Sequence, residues 1–121
     1  MEKEFIPYTE ALALKELGFD EPCFGFYIAG QLMVTTDSVY NSTDIPVCKA
    51  PTFSQAFRWF REKYNLISEI LWTSALPTHN TFTAIIKSEE KIVKMTECDI
   101  YEEAELECLK KLIEIVKDAK K

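Results

Sequence analysis

The chain has 121 residues, 47% of them hydrophobic and 28% charged, with a formal net charge of −6. That mix excludes a disordered or fibrous polymer and suffices for a single globular domain, residues 1–121, burying roughly 65% of its unfolded surface. The acidic balance argues against docking duplex DNA through a basic face, and no apolar run reaches the length of a membrane span.

A first helix is expected from Pro7 to Leu17, with proline at N1 and Gly18-Phe19 forming a Schellman stop. Its apolar residues, Tyr8, Ala11, Leu12, Leu14 and Leu17, spread around the circumference, which implies cover on more than one side. Cys23 to Ile28 and Gln31 to Thr35, parted by Ala29-Gly30, read as a β-hairpin. Asp37 to Pro51 is polar, holds two prolines, and is long for a plain connection. Its Asp37, Tyr40 and Lys49 are candidate contacts to a ligand or partner; a simple surface excursion is the alternative.

The clearest element is the central helix, Thr52 to Tyr64. Thr52 and Gln55 fit a capping box, and Pro51 blocks extension backwards. Phe53, Ala56, Phe57, Phe60 and Tyr64 fall on one stripe, around which the fold is expected to pack. Asn65 can supply the left-handed residue that ends it. On the outer side, Arg58 and Arg61 are the only arginines and stand three apart, while Trp59 and Lys63 have cation–π spacing. Arg58, Trp59 and Arg61 are therefore a candidate hot spot for a protein partner or an anionic ligand. The alternative is that the arginines pair with Glu62 or sheet carboxylates and Trp59 packs at the edge of the core.

Three antiparallel strands should follow. Leu66 to Thr73 sets Leu66, Ser68, Ile70 and Trp72 on one face, and Ser74 to Asn80 turns through Pro77. Thr81 to Lys87 sets Phe82, Ala84 and Ile86 against Thr83, Ile85 and Lys87; Lys91 to Glu97 points Val93 and Met95 inward. In the last helix Asp99 caps with Glu102 at N3, and Ala104, Cys108, Leu109, Leu112, Ile113 and Val116 form the apolar stripe. Glutamates fill its first turns and lysines its later ones, an order that complements the helix dipole. The fold class is α+β, in the order α-ββ-α-βββ-α, with helices packed on one face of a mainly antiparallel sheet.

Chemistry is sparse. Cys23, Cys48, Cys98 and Cys108 show no zinc spacing or C-x-x-C pair, and the N-terminal residues resemble no signal peptide, so a reduced cytoplasmic chain is expected. The single histidine, His79, lies in a polar turn, and a Cys–His pair formed only in space is the one route left to a hydrolase. The three glycines make no phosphate-binding loop, and neither a cofactor nor a metal is expected.

Three blocks occur in order: ALALKELGFDEPCFGFY (Ala11 to Tyr27), APTFSQAFRWFREKY (Ala50 to Tyr64) and YEEAELECLKKLIEIVK (Tyr101 to Lys117). Together they resemble a family of short uncharacterised proteins of phages and mobile elements of gut bacteria. The resemblance implies a phage- or element-encoded accessory protein in a bacterial cytoplasm, and it carries over no catalytic residue. The expectation is a non-enzymatic binding module that engages a host protein, in the manner of an inhibitor of host defence. The alternative, of another class, sequesters an anionic small molecule or nucleotide with Arg58, Arg61 and the Asp37 to Pro51 loop, between subunits of a homo-oligomer.

Overall fold

The computed structural model describes residues 4–28, 30–34, 47–76, 79–89 and 91–119. Its elements form an α+β fold with two three-stranded antiparallel sheets, and the chain divides into two compact units, Met1–Gln55 and Ala56–Lys121.

The first unit holds helix α1 (Tyr8–Glu16) and strands β1 (Gly25–Ile28), β2 (Gln31–Val34) and β3 (Val47–Ala50). Pro7 occupies the N-cap, one place before N1, with an extended ψ of 160°. The helix ends as expected. Phe19 N–H donates to the Leu14 carbonyl at 2.9 Å and Gly18 N–H to that of Lys15 at 3.1 Å, with Gly18 at φ 98°. Only glycine takes that left-handed place without strain.

The hairpin β1–β2 forms, and a third strand joins it, giving the order β2-β1-β3. β3 lies inside the segment expected to be irregular. Its Cys48 and Ala50 stand opposite Tyr27 and Gly25. Phe5 bridges to Thr52, and Ile6 N–H donates to the Pro51 carbonyl at 3.0 Å, which carries the pairing past β3. The Tyr27 hydroxyl then donates to the Ile6 carbonyl at 2.8 Å. Gly25 is required on steric grounds, since a Cβ there would stand 2.6 Å from the Phe5 ring and 2.9 Å from the Ala50 oxygen.

Helix α2 (Phe53–Tyr64) starts under half of the expected capping box. Gln55 N–H donates to Thr52 Oγ1 at 3.2 Å, but the Gln55 side chain reaches to the Pro22 carbonyl at 2.8 Å instead of turning back. Asn65 ends the helix at φ 57°. The buried stripe is Phe53, Ala56, Trp59 and Phe60, turned toward Trp59 and away from the half-buried Phe57.

The second unit is a meander of β4 (Leu66–Leu76), β5 (His79–Ser88) and β6 (Lys91–Cys98), covered by α3 (Tyr101–Ala119). All six residues of the expected α3 stripe are buried. The helix begins at Tyr101, so Asp99 lies one residue outside the N-cap place it was expected to fill. β4 and β5 run longer than their patterns suggested, and His79 stands within β5 opposite Leu76 instead of in a turn. Opposed residues share a face, which puts Ser68, Ile86 and Ala84 under α3, with the Phe82 and Tyr101 rings edge to face at 5.7 Å. Met95 pairs with Ile85 on the other face, and Met95 and Val93 are exposed, contrary to the inward orientation expected.

Candidate docking face

Period-2 geometry dictates what the face opposite α3 carries. Row by row it presents Ile67, Lys87 and Ile92, then Glu69, Ile85 and Met95, then Leu71, Thr83 and Glu97. Ile85 and Thr83 on the central strand are buried, whereas Leu71 is 45%, Ile92 56% and Met95 53% exposed. Val93, beside the irregularity at Ile86/Lys87, adds to this aliphatic surface. The Lys87 ammonium stands 3.6 Å from the Glu69 carboxylate, an ion pair laid across the patch. The face, three strands wide and about eight residues long, spans roughly 400 Å² with its charged residues included.

One margin of this unit is acidic. Glu97, Asp99, Glu102, Glu103, Glu105 and Glu107 fall between β6 and the first turns of α3, with no lysine or arginine among residues 95–109. The Glu105 carboxyl is held above its ordinary value, first by burial and then by Glu102 beside it. The Cys98 thiol is likewise pushed up by burial and by Glu107, Glu103 and Asp99. Exposed Ile100 and Tyr101 sit among these charges.

The residues singled out on α2 separate. Arg58 and Arg61 are exposed, but Trp59 is 5% exposed and does not share their surface. Its indole packs edge to face on Phe60 at 5.0 Å and Tyr64 at 5.4 Å. Lys63 Nζ does lie over the indole, 5.1 Å from its centroid. Helical geometry explains the burial: Trp59 follows Ala56 by three and precedes Lys63 by four, so it belongs to the edge of the buried stripe.

Asp37 and Tyr40 lie outside the described residues. Lys49, on β3, donates to the Asp20 carboxylate at 3.1 Å and to the Asp20 carbonyl at 3.2 Å. Together with Ala11, Lys15, Phe19 and Asp20 it lines a cavity of ≈130 Å³. Lys15, Lys49 and Asp20 are the charged residues of its lining.

Cys23, Cys48 and Cys108 are buried, and burial pushes the Cys23 and Cys108 thiols up to about 11 and raises that of Cys48. Among the described residues no three histidine, cysteine or acidic side chains cluster as a metal site, and no helix is long and apolar enough to cross a membrane.

Ile67, Leu71, Ile92 and Met95, all exposed, are not among the residues that the sequence singles out as contacts. Alternation shows which side chains share a face of a strand, but not which face the helix covers. Set against protein-family models, curated proteins and solved structures, the chain matches none.

Proposed function

We propose that the chain is a non-enzymatic binding module that seats a basic, aliphatic segment of a host protein on the open face of the β4–β5–β6 sheet. The observation that carries this reading is the set of exposed aliphatic side chains Ile67, Leu71, Ile92, Val93 and Met95 on one unit. Charge selects the partner's chemistry: the chain is at −6, and the acidic margin from Glu97 to Glu107 repels an acidic partner and attracts lysine and arginine. Thiols held protonated at neutral pH weigh against a cysteine–histidine hydrolase. The resemblance to phage and mobile-element proteins supports a host defence protein of a bacterial cytoplasm as the proposed partner.

The test is recovery of a host protein on the immobilised chain, repeated with Met95→Lys and with a Glu102→Lys, Glu103→Lys double variant. One stoichiometric partner should be retained by the parent chain and lost from both variants, and the interaction should weaken at high salt. Retention by both variants, or no partner in any host lysate, overturns the proposal. A second reading has its own observation, the cavity between Lys15 and Lys49, which suits sequestration of a small carboxylate or phosphate.

A further inference from the structure

The β4–β5–β6 sheet has two edges of different character. β6 is eight residues long, carries Lys91 and Lys94, and is irregular where it meets Ile86/Lys87, all devices that blunt an edge against pairing. β4 is eleven residues long with neither lysine nor proline. Its one charge, Glu69, is paired to Lys87 on the neighbouring strand, and its irregularity lies beyond Thr73. Among the described residues no strand pairs with its outer side. Ile67 and Leu71 are exposed on the open face, and Trp72 is 61% exposed on the other. Such an edge is a template for another strand.

We propose that β4 pairs antiparallel with β4 of a second copy of this chain about a two-fold axis, joining two three-stranded sheets into one of six. Symmetry supports the second copy as occupant. A two-fold axis normal to the sheet can oppose only residues of the same face. Ile67 and Leu71 of one copy then continue the aliphatic strip of the other, and Ser68, Ile70 and Trp72 align in the same way on the opposite side. One register would oppose Glu69 to itself and is disfavoured by like charge. Centring the axis on Ile70 would oppose Leu71 to Glu69 and set each carboxylate against an aliphatic side chain, which disfavours that register as well. Centring it on Leu71 opposes Leu71 to Leu71 and Ile70 to Trp72. This register removes aliphatic and aromatic surface from water and pairs the backbone groups along the edge.

The pairing is independent of the host partner, since a monomer can hold a partner and a dimer can lack one. Sedimentation of the full chain should show a concentration-dependent monomer–dimer equilibrium. Leu71→Lys, which sets ammonium groups near the axis, should weaken it at least about tenfold, while its circular dichroism stays that of the parent. Amide exchange provides the second measurement: β4 amides should gain protection as the protein is concentrated, and β6 amides should not. A monomer at about 100 μM, a weaker association than which has little meaning in a cell, overturns the proposal. So does a dimer indifferent to Leu71→Lys, or one whose β4 amides gain no protection.

Discussion

Gly25 shows how one hydrogen atom organises the first unit. Phe5 lies across β1 at the point where Gly25 faces Ala50, and no side chain fits between them. Gly25→Ala should therefore destabilise the fold by about 1–3 kcal/mol, read as a lowered urea midpoint. Trimming Phe5 should not restore the loss, because the Ala50 carbonyl is backbone and stands nearly as close. Trp59 carries a different lesson about single residues. Its spacing to Lys63 announced the cation–π contact that forms, yet the same ring is buried, and the arginines beside it are left on the surface without it. Type and spacing settled which neighbour the ring meets, but not how deep it sits.

Among the elements, α3 is the most fully determined by its own sequence. Its six buried positions recur at helical period, and its charges run from acidic to basic. Glu105 is the costly member of that order. Its folded pKa lies above the unfolded value, so its contribution favours the fold below the ordinary carboxylate range and is lost as pH rises through the raised value. Glu105→Gln should thus raise thermal stability at pH 7 by a few tenths of a kcal/mol, with the gain shrinking toward pH 4. Thermal melts of the two proteins across that range check the sign. β3 was illegible by comparison. Four residues carrying Lys49 and followed by Pro51 give no alternation to read, and the strand exists only because β1 is there to pair with it. The candidate face was half legible. The pattern of β4 and β5 showed which residues travel together, but choosing the covered side depended on where α3 lies, which no local pattern states. Thr52–Gln55 had the same fate: the amide half of the box is local and forms, while the side-chain half was taken by Pro22, thirty-three residues away.

At the scale of the molecule, each compact unit keeps one thiol raised to about 11, Cys23 in the first and Cys108 in the second. Both favour the fold below the ordinary thiol value of 9.0, and that contribution is lost as pH rises toward the folded value. Stability measured by urea titration should consequently fall between pH 9 and about 11, and Cys108→Ala should flatten the fall while lowering stability at neutral pH through lost packing. A chain of net charge −6 already meets that alkaline range with growing self-repulsion, so the two effects act in the same direction. The two unlike margins of the longer sheet have a last consequence. If β4 adheres to its own image, the ribbon that results ends on both sides in β6, whose Lys91 and Lys94 refuse a further strand. Growth is spent in a single step. A protein that carries one sticky selvage and one repellent one can double itself without ever seeding a fibre.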